Sequence, residues 1–407
     1  MVTINLDAYF IHKRYDDGLL QFLKNDNYEE AHTYRLTMKN DGKLDQLYNV
    51  TMDLKFASWV NDDKQKIFDL ADEQLRLFNR IAEVETDWIV YPLYYVAHQY
   101  LQIARKIRVK DDKMDKNAYL ERCGRAIHRS FNLCLNDRNP ELHENRKTGC
   151  YLLANLEFKL YHLLGNRDMM KNLVKVLQSR GDEIPPLAQS LAALHSKHLV
   201  MFNYYMGEYY GCYESDFTKG HSFLSEALLE CATNICDKQI DKILILLIPF
   251  ALLTTRQYPN VNVWQEKLTD NSVALKVHEP IVSCLLNGDL KTYDTNFAKN
   301  EIFFLQNGLY VAMSLLRELV FLRLVKNCWK FTGMPSVLQL QAVATAYSKS
   351  VQGYKKRKPA KADDLLLDEL ECQLANLIAK NLVKGYLSHA NRCLVLSKKL
   401  PFPRQST

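Results

Sequence analysis

Apolar positions recur along most of this chain with the period of a helix. From residue 66, Ile67, Leu70, Leu75, Leu77, Phe78 and Ile81 fall on one side of a predicted helix. Residues 93–107, entered through Pro92, and residues 118–135 repeat that pattern. The second segment should stop at Asn136-Asp137-Arg138-Asn139-Pro140, because a proline disfavours helix at the residue before it. Residues 149–164 and 168–177 predict a helical hairpin across Gly165-Asn166-Arg167. Gly165 suits a helix C-cap, and Asp168 an N-cap or first-turn acid. Pro185-Pro186 breaks the chain; 187–210 then predicts a long helix and 217–232 its partner. The longest apolar run, 243–253, has Pro249 inside and is too short for a bilayer, so it reads as a core helix pair. Two more helices are predicted over 299–330. The first sixty residues read as helices with a loose connection near residues 39–43.

The rhythm changes near the end. Leu367, Leu370, Leu374, Leu377 and Ile378 mark one more helical stripe. Strand-like stretches follow at 383–387 and 393–397, with His389-Ala390-Asn391-Arg392 between them. A helix followed by a two-stranded ribbon is the outline of a winged helix. The predicted fold is therefore an all-α, helical-repeat (TPR-like) solenoid ending in a small α+β winged helix. Its expected parts are N-terminal repeats (1–186), further helices (187–330) and the terminal module (331–407). The tetratricopeptide likeness rests on Met206-Gly207, Tyr210, Phe223 and Ala227. Gly207 would admit a neighbouring helix and Phe223 would fill the gap. Asn203 and Lys219 depart from that pattern, where Trp and Ala are usual. Stacked helix pairs draw stability from their neighbours and offer surfaces to partners.

Composition agrees with long helices, since only 14 Gly and 11 Pro punctuate 407 residues. The net charge of +6 is localised: residues 354–407 carry eleven Lys/Arg against five Asp/Glu, and the rest of the chain balances to zero. A basic end can attract RNA, DNA or an acidic partner; a solvated tail is the plain alternative. Ten cysteines without a CxxC read as reduced, buried thiols of an intracellular protein. Charges at Asp7, Lys13, Arg14, Asp16 and Asp17 argue against an ordinary secretory signal, and no membrane span is expected.

Catalytic chemistry is hard to find. Glycine spacing gives neither GxGxxG nor a Walker-type loop, and neither HExxH nor HxH occurs. His195 and His198 are three apart, but a metal would need further ligands, so a packed histidine pair is the stronger reading. Cys123, His128 and Cys134 fit no standard spacing. No catalytic, cofactor or metal residues are expected. Binding has more support. Lys380, Lys384, Arg392, Lys398 and Lys399 surround the predicted ribbon and can meet phosphates without reading bases. Lys355, Lys356, Arg357 and Lys358 form a second basic run in a linker-like stretch. Tyr386 could stack on a base, although a core aromatic is the stronger reading.

Tyr204-Tyr205-Met206-Gly207, Phe223-Leu224, Ala227 and 243–253 resemble the helical half of a PCI domain. Leu374-Ala375-Asn376-Leu377-Ile378, Lys384-Gly385-Tyr386-Leu387-Ser388-His389 and Ser397-Lys398-Lys399-Leu400-Pro401-Phe402-Pro403 resemble its winged-helix half. That ending is similar to the branch holding the transcription-and-export PCI proteins and the fungal COP9 signalosome subunit 12. Residues 123–131, 134–140 and 170–177 are closer to the subunit 12 family, as are Asn203-Tyr204-Tyr205 and Tyr209-Tyr210-Gly211-Cys212. The resemblance implies a non-catalytic subunit of nucleus and cytoplasm. Implied partners are a larger GANP-type PCI protein and a small acidic disordered protein of the proteasome lid, in transcription elongation and mRNA processing. It also implies a place among COP9 signalosome subunits, where an isopeptidase with a metal-binding HxH motif removes a ubiquitin-like modifier from cullins. The run at Lys355 to Lys358 lies where the family varies, so its RNA reading rests on charge alone.

Overall fold

The computed structural model describes residues 2–24, 32–35, 42–60, 63–107, 117–141, 144–231, 237–256, 272–352 and 364–403. The chain forms two compact units, residues 1–205 and 206–407.

The first unit opens with β1 (Val2–Asn5), α1 (Leu6–Ile11), α2 (Asp17–Leu23) and β2 (His32–Arg35), the two strands pairing in parallel. Neither strand is expected from the sequence pattern; four residues are too few for an alternation to stand out. There follow α3 (Gly42–Trp59), α4 (Lys64–Ala82), α5 (Val90–Lys106), α6 (Ala118–Leu135), α7 (Cys150–Leu164) and α8 (Arg167–Ser179). The connection expected near 39–43 gives way at Gly42 to α3, and its earlier residues lie outside those described. From α3 to α8 each helix packs on the next, which is the repeat geometry of a solenoid. Phe68, Phe78, Tyr100, Phe131 and Phe158 are fully buried along this stack. Asp72, itself buried, ties three helices together: it accepts from Tyr100 Oη at 3.1 Å and from Arg122 Nη2 at 2.6 Å. Gly165 caps α7 with φ 64°, a left-handed position that suits glycine. Asn166, not Asp168, caps α8, and Asp168 sits in its first turn.

The helix expected over 187–210 begins only at Ser196. After Pro185-Pro186 the chain makes two 3₁₀ turns, Leu187–Gln189 and Leu191–Leu194. Ser190 between them is extended and bonds back to the Leu187 carbonyl at 2.7 Å, an alternative to helix that serine readily takes. The chain passes from the first unit to the second within α9 (Ser196–Glu208), which runs into a π-helical turn, Tyr209–Tyr213.

In the second unit α10 (Phe217–Glu230) packs on that turn and on α11 (Asp237–Thr254). Gly207 faces α10, but Leu224 fills the gap rather than Phe223. Phe223 stacks instead on Tyr210, with centroids 5.6 Å apart. The apolar run at 243–253 is not a helix pair: α11 continues through Pro249. An interior proline costs about 3 kcal/mol, and the near-continuous burial from Ile243 to Leu252 offsets it. Beyond come α12 (Val273–Asn287), α13 (Leu290–Lys299), α14 (Glu301–Gln306) and α15 (Tyr310–Phe331). The terminal module is β3 (Val337–Gln339), α16 (Leu340–Gln352), α17 (Asp364–Ala379), β4 (Gly385–Ser388) and β5 (Cys393–Leu396). The ribbon is thus a three-stranded antiparallel sheet in the order β3-β5-β4. No helix among the described residues is long and apolar enough to cross a membrane.

Candidate interaction surface of the terminal module

The module is built from its apolar stripe. Leu367, Leu370, Leu374 and Leu377 of α17 are buried, while Ile378 is only partly so. Leu338, Leu394 and Leu396 supply buried side chains from the sheet. Gly385 opens β4 where it passes β5; a Cβ there would lie 2.1 Å from the Val395 carbonyl oxygen.

Two of the five predicted cations are engaged by carboxylates of the protein itself. Lys380 Nζ sits 2.5 and 2.7 Å from the two oxygens of Glu318. Arg392, at φ 45° in the β4–β5 turn, holds Asp368 at 2.5 Å and Glu371 at 3.1 Å. Its hydrogen bond to Asp368, and then the one to Glu371, raises its pKa further. His389 Nδ1 joins the same cluster 2.7 Å from Glu371. Asp368, Glu371 and His389 bring ligand-type atoms within 4.8 Å of one another. One guanidinium nitrogen of Arg392 reaches all three, at 2.5, 3.1 and 3.3 Å, so the carboxylates take up its charge and the cluster clamps the turn onto α17.

Lys384, Lys398 and Lys399 are exposed, and no ion pair holds any of them among the described residues. They converge at one end of the sheet. The Lys384 carbonyl accepts from Ser397 N at 2.8 Å, and Lys398 and Lys399 follow directly. Tyr386 is not a core aromatic: it is 63% exposed. Strand alternation could have shown this, since Leu387 pairs with the buried Leu394 and so its neighbour must face outward. Lys355, Lys356, Arg357 and Lys358 lie outside the described residues, between α16 and α17 in sequence.

The other sequence candidates are structural. His198 is buried with its ring 5.0 Å from Tyr94 and 6.1 Å from His195. Burial, followed by Lys197 and the neighbouring histidines, lowers its pKa to about 4. Cys123 and Cys134 are buried free thiols in α6, where burial pushes both well up in pKa. His128 pairs with Glu157 at 2.9 Å, and that hydrogen bond raises its pKa.

A PCI domain match covers residues 297–398, from α13 through β5. Over its whole length the chain is similar to the Cop9 signalosome complex subunit 12 of Saccharomyces cerevisiae, at 41% identity over 99% of each chain. The COP9 signalosome complex subunit 12 of Eremothecium gossypii is 36% identical over 97% of this chain and 96% of its own. That of Candida glabrata is 38% identical over 84% and 79%. A solenoid closed by a winged helix, a matching PCI domain and end-to-end likeness to these proteins converge: the chain belongs to the COP9 signalosome subunit 12 family of PCI-domain proteins.

Proposed function

We propose that this protein is a non-catalytic scaffold subunit of a COP9-signalosome-type complex, where it supports cullin deneddylation carried out by another subunit. The observation that carries this reading is the similarity to subunit 12 proteins along 99% of the chain. The architecture fits: a helical stack offers lateral surface, and the terminal module is internally packed with its turn clamped. The test is a tagged chain, expressed from its own locus and purified with what accompanies it. Recovery of signalosome subunits, and accumulation of modified cullin when the chain is deleted, are expected. Absence of all signalosome subunits together with unchanged cullin modification would overturn it.

A second reading is favoured by the three lysines at one end of the wing that have no carboxylate partner among the described residues. In it the chain works in nucleus and cytoplasm with a larger GANP-type PCI protein and a small acidic disordered protein. That assembly would act in transcription elongation and mRNA processing, with RNA or DNA held nonspecifically through Lys380, Lys384, Arg392, Lys398 and Lys399. Lys380 and Arg392 are already matched by carboxylates, so most of the phosphate attraction falls to Lys384, Lys398 and Lys399. Recovery of those two partners, and not the signalosome, in the same purification would select this reading.

A further inference from the structure

We propose that the outer face of the three-stranded sheet contacts single-stranded nucleic acid, with Tyr386 stacking on a base and Lys384, Lys398 and Lys399 meeting the phosphates. The proposal rests on the second reading above and names its ligand class. Its basis is the register. Val337 pairs with Val395 and Val395 with Tyr386, so these three form one row across the sheet. The neighbouring row, Leu338 and Leu394, points inward and is buried. The outward row is different: Val337 is 41% and Tyr386 63% exposed. An aromatic ring beside two β-branched residues makes a flat apolar step.

Lys384 lies two residues before Tyr386 and so projects from the same face, about 7 Å away along the strand. Its backbone is pinned on both sides, donating to the Pro401 carbonyl and accepting from Ser397 N, each at 2.8 Å. That pinning sets Lys398 and Lys399 at the same end. Positive charge without a carboxylate partner among the described residues therefore stands beside the exposed ring. At the far end of β4, Arg392 is already taken up by Asp368 and Glu371, so no unmatched positive charge stands there among the described residues. A cation next to an aromatic step matches a polyanion whose bases are open for stacking. Single strands offer such faces, whereas a duplex hides them and leaves only its phosphates to the lysines.

The test uses the full chain with whatever partners purify with it, a fluorescein-labelled oligothymidylate and a duplex of similar length. Anisotropy is measured across a salt series. Tyr386→Ala should weaken oligothymidylate binding about ten- to a hundredfold, with the salt slope and the duplex affinity unchanged. Tyr386→Phe should restore most of the loss. Lys384→Gln with Lys398→Gln and Lys399→Gln should instead flatten the log–log salt slope by about 2. Tyr386 is exposed, so its variants should keep the parent thermal transition. If Tyr386→Ala binds as the parent does, the stacking falls while the charge-based reading survives. If the parent fails to bind, or binds without salt dependence, both fall. If oligothymidylate binding is unchanged but a copurifying protein is lost, the face is a protein interface and the proposal is overturned.

Discussion

Substituting Gly385 tests whether the wing is held as tightly as its backbone indicates. In Gly385→Ala the new Cβ would lie 2.1 Å from the Val395 carbonyl oxygen and 3.1 Å from its carbon. Carbon–oxygen contacts in sheets settle near about 3.3 Å, so β4 would have to move by roughly 1 Å. The obstruction is backbone, not the end of a flexible side chain, so it cannot rotate away. The bond from Ser397 N to the Lys384 carbonyl, now 2.8 Å, stands next to the insertion and would stretch beyond useful range. Losing one or two ladder bonds at about 1 kcal/mol each, plus overpacking of about 1–3 kcal/mol, gives about 2–5 kcal/mol. For a unit of about 200 residues, that is a fall on the order of 10 °C in its thermal midpoint. Differential scanning fluorimetry and amide hydrogen exchange on β4 and β5 read the effect. Lys384→Ala, next door and exposed, is the control and should leave the midpoint unchanged. A Gly385→Ala midpoint within about 2 °C of the parent, with β4 and β5 equally protected, would refute the reasoning.

Three further perturbations separate other parts of the structure. Leu377→Asp places a carboxylate at a position 1% exposed; it should cost at least the ~2–5 kcal/mol of a leucine truncation, with desolvation of the charge added. Normal urea stability and normal recovery of partners would show that the α17 stripe is wrongly phased. Asp72→Ala removes the shared acceptor of Tyr100 and Arg122. Arg122 is partly exposed and keeps Asp69, so the cost is mainly the stranded Tyr100 hydroxyl, and a loss of about 1–3 kcal/mol should appear in the first unit's unfolding step while the second unit's stays in place. For pH, burial lowers His98, His198 and His278 to about 4. The unfolded chain then binds more protons than the folded one between about pH 6.5 and 4. Stability should be full above that window and fall on acidification through it, and a urea midpoint rising as pH drops from about 6.5 would contradict the burial of these rings.

Legibility follows how much of each element can be seen in its own sequence. The helix at Ala118–Leu135 and the hairpin turn at Gly165 are readable because periodicity and caps are local signals. The short strands are not: β3 has three residues, and its partner β5 lies more than fifty positions away. Only pairing in three dimensions makes it part of a sheet. The same distance hides the two carboxylate engagements. Lys380 meets Glu318 across 62 positions and Arg392 meets Asp368 across 24, so all five wing cations look equivalent in sequence.

Tyr386 is the sharper case. Its neighbours Gly385 and Leu387 imply its direction once Leu387 is set against Leu394, because a strand sends alternate side chains to opposite faces. Aromatic character alone argues for the core, yet register decides, and register depends on which leucine in β5 faces inward. This exposed ring bears on how the two functional readings differ. A scaffold that only assembles needs the inward leucines and the Arg392 clamp. A chain that also holds nucleic acid needs the outward face, and the lysines without carboxylate partners among the described residues stand beside that face rather than around the clamped turn. Substitution of Tyr386 therefore probes the outward face alone, whereas Leu377→Asp disturbs the packing on which the whole module rests.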